Sequence, residues 1–140
     1  MILYFDTSAL IKLVMIEDDS EQAAELWNSA HPTASSILVY PESRAALAAA
    51  HRGARLTTAE YKAALSGFHA HFDDLITVGV DDDLALSAGA QAEAFGLRGY
   101  DAVHLASASG LGEVTLVTWD EELTVAAESV GLAVAGVGSE

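Results

Sequence analysis

Short apolar runs and longer amphipathic stretches alternate along the whole 140-residue chain. ILYF (2–5), PTASSI (32–37), LITV (75–78), VTLVTW (114–119) and LAVAGV (132–137) are rich in β-branched and apolar residues over strand length, and each predicts a strand. Between them the spacing is helical. Asp18-x-x-Glu21 and Thr57-x-x-Glu60 have capping-box form, in which the cap side chain and a carboxylate three residues on bond each other's backbone N–H groups. Residues 44–52 are nearly all Ala and Leu between two arginines, and Gly53 closes them. Asp82 is placed to cap SAGAQAEAF, which Gly96 stops; residues 100–109 end at Gly110; Asp120 leads into EELTVAAES, stopped at Gly131. Alternating strands and helices, with no repeat and no linker, predict one α/β domain over residues 1–140. Its sheet should be mainly parallel, about five strands wide, with helices on both faces.

Composition adds limits. Half of the residues (51%) are apolar, enough for a chain of this length to bury roughly two-thirds of its unfolded surface. No apolar run reaches the roughly eighteen residues of a membrane span, and the opening MILYFD lacks the basic segment and cleavage site of a secretory leader. There is no cysteine, which excludes disulfides and thiolate metal sites. A cytoplasmic protein is the expectation.

Charge changes the picture more. The net charge is −15, which argues against indiscriminate binding of nucleic acid or anionic membrane through the general surface. Yet of the six basic residues Arg44, Arg52, Arg55 and Lys62 fall within nineteen positions, leaving Lys12 and Arg98 elsewhere. A polyanion could be held at that segment, and a basic protein partner on the acidic faces.

The acids also have a pattern. Asp6 follows the first predicted strand, Asp120 follows the fourth, and Glu42 lies in the opening turns of the helix after the second, with Pro41 either at its first position or forming a kink. Ligands of open α/β sheets bind beyond the carboxyl ends of the strands, where these three acids belong. Asp101 starts a helix of small and apolar residues, and a carboxylate leading so apolar a helix needs a partner or a cation. Each acid alone reads as a helix cap. Asp6 and Asp101 are expected to have no nearby Lys or Arg partner, so the four together point to a cation site.

DTSAL at 6–10, PESRAAL at 41–47, YDAVHLASA at 100–108 and VTWDEEL…AAESVGLAV at 117–134 resemble, in order and spacing, the four blocks of a PIN domain. They are most similar to the single-domain VapC-type toxin ribonucleases of bacterial toxin–antitoxin pairs. The resemblance implies an acidic metal site of Asp6, Glu42, Asp101 and Asp120, with Thr7 or Ser8 and Thr118 at the assisting hydroxyl positions. It also implies an RNA substrate (tRNA or rRNA are the candidates), a cognate antitoxin and a homodimer. Pro41, just before Glu42, is a mild departure from the pattern.

Physical chemistry supports the same site. Four carboxylates without a cation repel one another and bind protons more tightly. Mg²⁺ or Mn²⁺, hard ions that prefer oxygen ligands, relieve this where Cys and clustered His are missing. Such ions lower the pKa of bound water and clamp the oxygens of an in-line phosphodiester displacement. The expected reaction is metal-dependent RNA phosphodiester hydrolysis, with water as nucleophile. Asp6, Asp101 and Asp120 would be direct or water-mediated ligands, while Glu42 would bind a second ion or orient the water.

Other residues carry less. His104 shares a helix face with Asp101 and reads as a core or supporting histidine rather than a catalytic one. His69-x-His71 does not share a face, so it is a surface pair, and Trp27, Tyr61 and Phe68 read as packing residues. The acidic runs 17–19 and 81–83 resemble the acid pair of a phosphorylation receiver, but here one Asp follows the first strand and no Lys occurs after position 62, so that reading fails. A PIN-like fold kept only for binding is the remaining rival. Arg44 and Arg52, about 80° apart around a continuous helix, are expected to border the groove that Glu42 lines and to contact RNA phosphates.

Overall fold

All five predicted strands form in the computed structural model, which describes residues 1–137. They are β1 (Ile2–Phe5), β2 (Thr33–Ser36), β3 (Ile76–Val78), β4 (Val114–Thr118) and β5 (Ala133–Gly136). Every pairing is parallel, in the order β3-β2-β1-β4-β5. Parallel neighbours need crossovers rather than tight turns. Helices α1 (Thr7–Lys12) and α2 (Ser20–Trp27) join β1 to β2, and α3 (Val39–Arg52) and α4 (Thr58–Asp74) join β2 to β3. Helices α5 (Asp82–Phe95) and α6 (Gly99–Ser109) lead to β4, and α7 (Glu121–Ser129) leads to β5.

Side-chain alternation along the strands divides the core between the two faces of the sheet. Leu3, Phe5 and Val117 pack with Leu10, Val39 and Trp27, whereas Tyr4 and Leu116 pack with Leu105, Leu123 and Ala126. A third cluster joins α1, α3 and α4 through Ile11, Leu47 and Phe68. Burying a side chain such as Leu47 or Leu105 contributes about 1.5–3 kcal/mol each, so three such clusters fix the helices against the sheet.

Helix ends differ from expectation in specific places. The Thr57 capping box forms: Glu60 N–H donates to Thr57 Oγ1 at 3.1 Å and Thr57 N–H to Glu60 Oε1 at 2.8 Å. The Asp18 box does not form. Asp19 enters α2 in the left-handed region (φ 66°) without a side-chain cap bond. Ser20 Oγ takes over the turn, accepting from Glu17 N–H and donating to the Met15 carbonyl. Asp81, one residue before the expected Asp82, caps α5 by accepting from Leu84 N–H at 2.8 Å. Helix α3 starts at Val39, placing Pro41 in the first turn, where a backbone N–H has no intrahelical partner and proline causes no kink.

The chain runs outward from β1 in both directions, so the topological switch point lies between β1 and β4. Asp6 and Thr118 stand at the carboxyl ends of those two strands. Beside them, β5 closes on β4 so tightly that a Cβ on Gly136 would lie 1.9 Å from the Thr118 carbonyl oxygen. The φ of 121° at Gly136 likewise favours glycine.

Candidate active site

Asp6 caps α1, and the carboxylate is 3% exposed. Oδ1 accepts from Ala9 N–H at 2.9 Å and from Ser8 Oγ at 2.7 Å; Oδ2 accepts from Thr118 Oγ1 at 2.5 Å. The two hydroxyls are themselves fixed, because Ser8 Oγ accepts from Trp119 N–H and Thr118 Oγ1 from Asp120 N–H, both at 3.0 Å. Each therefore points its single proton at Asp6. Burial pushes the Asp6 carboxyl above its ordinary pKa, and the nearby His104 and these hydrogen bonds only partly offset it. The result is a desolvated carboxylate whose hydrogen-bond donors are all neutral.

Thr7 serves a different acid. Its Oγ1 donates to Glu42 Oε1 at 2.8 Å, and His104 Nε2 reaches the same oxygen at 2.8 Å. His104 is buried, and its Nδ1 lies 2.7 Å from the Tyr4 hydroxyl on central strand β1. Both ring nitrogens are thus partnered, Nδ1 by the Tyr4 hydroxyl and Nε2 by the Glu42 carboxylate, to which Nε2–H donates. Burial pushes the Tyr4 hydroxyl pKa far up, so it remains a donor. Burial also raises the Glu42 pKa, but the hydrogen bonds and charges around it, led by His104, outweigh that and hold it below the ordinary value. Both donors converge on Oε1, leaving Oε2 for the cleft. His104 is buried and bonded to Tyr4 and Glu42, partners that lie 100 and 62 residues away in sequence.

Asp101 and Asp120 complete the set. Asp120 caps α7, accepting from Leu123 N–H at 2.9 Å. Burial raises the Asp101 pKa and the Asp120 charge raises it further, against the pull of Arg98. Arg98 corrects the expectation that Asp101 lacks a basic partner: its Nε lies 3.2 Å from Asp101 Oδ2, and Nη2 lies 3.8 Å from Asp120 Oδ2. The i,i+3 spacing on α6 was the available signal.

All four acids line one cleft of about 610 Å³, with Thr7, Ser8 and His104 in its wall. Thr118 stands behind Asp6, fully buried. Helix α3 and its N-cap residue Leu38 line the cleft, the helix through Pro41, Glu42, Ala45 and Ala46. Arg44, two residues from Glu42, projects about 200° away. Its Nη1 instead donates to the Tyr40 hydroxyl at 3.1 Å and its guanidinium lies over that ring. Neither Arg44 nor Arg52 lines the cleft, contrary to expectation.

The donor set is all carboxylate and hydroxyl, which suits Mg²⁺ or Mn²⁺. Among the described residues no three His, Asp or Glu side chains are gathered tightly enough to enclose an ion by themselves.

Comparison with known proteins agrees with this geometry. Residues 3–129 match the PIN domain family model. The chain is 41% identical over 136 residues to Ribonuclease VapC45 and to Ribonuclease VapC49, both of Mycobacterium tuberculosis, covering 96% of this chain and 94% of each. The solved structure of Mycobacterium tuberculosis VapC20, a Sarcin-Ricin loop cleaving toxin, superimposes with a TM-score of 0.70 at 18% identity, covering 94% of this chain and 96% of that one. The toxin–antitoxin complex VapBC2 from Rickettsia felis, bound to a promoter DNA fragment, gives 0.66 at 16% identity, with 97% and 98% covered. The parallel five-stranded sheet, the acid-lined switch point and the match over residues 3–129 make this chain a member of the PIN-domain family, in its VapC group.

Proposed function

We propose that the chain is a metal-dependent endoribonuclease, the toxin of a toxin–antitoxin pair. The observation that carries the reading is Asp6, a buried carboxylate fixed by three neutral donors at the switch point and facing a cleft with three further acids. The relatives named as VapC ribonucleases support it.

Asp6, Asp101 and Asp120 would hold the Mg²⁺ or Mn²⁺, with Glu42 beside them. When bound, the ion supplies an acidified water and charge neutralisation on the phosphodiester. The chain's own residues do the rest. Thr118, Ser8 and the Ala9 N–H hold Asp6 at a fixed angle and favour its ionised form against the burial that opposes it. Thr7 and His104 keep Glu42 ionised with Oε2 open, so it can accept a proton of the attacking water and orient its lone pair towards phosphorus. The apolar side of the cleft (Leu38, Pro41, Ala45) restricts competing water.

The substrate is RNA, with tRNA or rRNA the classes to test first. Arg44 and Arg52 lie outside the cleft and would hold its flanking phosphates; losing each should flatten the dependence of log K on log salt by roughly 0.7. A cognate antitoxin is the proposed partner, as several structural neighbours are toxin–antitoxin complexes. No helix among the described residues is long and apolar enough to cross a membrane. We place the protein in the cytoplasm as a homodimer. The test is RNA cleavage by the purified chain with Mg²⁺ or Mn²⁺. Cleavage should stop in EDTA and in Asp6→Asn. Cleavage that persists in EDTA would sink the metal mechanism, and RNA binding without any cleavage would favour a binding module.

A further inference from the structure

Arg98 occupies a position that helix chemistry disfavours. It is the N-cap of α6 and makes no side-chain capping bond to the helix backbone. Caps are usually Ser, Thr, Asp or Asn, and a cation at a helix N-terminus faces the positive end of the dipole. What it gains instead is the two carboxylates, Asp101 at 3.2 Å and Asp120 at 3.8 Å. Its side chain is 81% exposed, while those of Asp101 and Asp120 are 16% and 24% exposed. The guanidinium therefore covers the acids from the solvent side. It is the only Lys or Arg among the described residues lining the cleft.

From this geometry we infer that Arg98 is an internal, displaceable counter-ion: it bridges Asp101 and Asp120 in the metal-free chain, gives way when a divalent cation binds there, and then contacts the RNA phosphate backbone. The inference rests on the proposed metal-dependent ribonuclease activity. Exposed pairs of this kind are individually weak and weakened further by salt, so they hold the side chain without locking it. A divalent ion brings twice the charge and binds carboxylate oxygens directly. Once displaced, the guanidinium stands at the mouth of an otherwise acidic cleft beside Glu121 and Glu122, and an RNA phosphate is the substrate group that its fork matches. One residue would thus quiet the empty site and help to engage substrate in the loaded one.

The test is Mn²⁺ titration by calorimetry of the full chain without RNA, comparing wild type, Arg98→Ala and Arg98→Gln. Both variants should bind Mn²⁺ roughly threefold to tenfold more tightly, the size of one or two exposed charge pairs, and the gap should narrow as salt rises. In Ca²⁺, both should bind RNA more weakly, with a salt slope smaller by roughly 0.7. Arg98→Gln keeps hydrogen-bonding capacity without charge, so it separates competition from misfolding should Arg98→Ala be unstable. Unchanged or weaker Mn²⁺ binding in folded variants overturns the counter-ion role. An unchanged RNA salt slope overturns the transfer to phosphate. Wild type that binds no Mn²⁺ overturns the metal-dependent reading itself, a result distinct from either.

Discussion

The Thr118 hydroxyl donates to Asp6 Oδ2 at 2.5 Å across 112 residues of sequence, joining the carboxyl ends of β4 and β1. Thr118 Oγ1 already accepts the Asp120 N–H, so its proton has one destination. Thr118→Val keeps the shape and removes the donor. It should cost about 1–3 kcal/mol of stability for the unsatisfied buried group. Asp6 would then ionise less readily, moving the acid limb of the pH–rate profile to higher pH. Thr118→Ser should retain both properties. A valine variant with wild-type stability and profile would disprove this coupling.

Burial gives the folded chain a tighter hold on the Asp6 proton than the unfolded chain has. The group therefore contributes stability in full below its unfolded pKa, and loses it as pH rises through the higher folded value. Asp6→Asn never ionises. In EDTA, its melting temperature should improve relative to wild type as pH rises from about 4 to about 7. A difference that stays constant over that range would contradict a raised Asp6 pKa.

The Tyr4–His104–Glu42 chain predicts graded losses. His104→Leu removes the donor that holds Glu42 Oε1 and should lower activity and Mn²⁺ affinity about tenfold to hundredfold, the usual range for residues orienting a metal ligand. His104→Gln retains a donor and should recover part of both. Equal losses in the two variants would assign His104 to packing alone.

Two glycines should respond in opposite directions. Gly89, in α5, has open space where a Cβ would stand, so Gly89→Ala should stabilise by about 0.4–1 kcal/mol. At Gly136 an added Cβ meets the Thr118 carbonyl, and φ is positive. Gly136→Ala should destabilise by more than about 1 kcal/mol and also lower activity, because the strand it pushes carries the hydroxyl bound to Asp6. Denaturant melts of both variants would check the pair.

The five strands were legible because each is a compact β-branched or apolar run bounded by turn residues, a signal that needs no knowledge of the partner strand. The α2 cap was not, because Asp18, Asp19 and Ser20 are all good caps and a left-handed Asp19 decided among them. Likewise three consecutive aspartates left the α5 start ambiguous by one residue. Asp6, Glu42 and Asp120 could be placed at one edge because each follows a predicted strand, and Asp101 joined them through the apolar helix that it leads. Their supports could not: His104 meets Tyr4 and Glu42 only through tertiary packing, and Thr7 and Ser8, adjacent in sequence, part to serve different carboxylates. Arg44 was misplaced because closeness in sequence to Glu42 was given more weight than the 200° that separates i and i+2 on a helix.

The sheet's connectivity has a consequence for synthesis. Its central strand, β1, emerges first, yet one of the two strands flanking it, β4, comes after residue 113. The four acids, at positions 6, 42, 101 and 120, are spread over most of the chain, and the clamp on Asp6 needs Thr118. Long-range parallel pairing of this kind forms late, after the cost of closing large loops has been met. A nascent chain therefore carries Asp6 from the outset without a cleft around it. Whatever cutting power the folded domain has, the ribosome making it is exposed to none until β4 and Asp120 have been made.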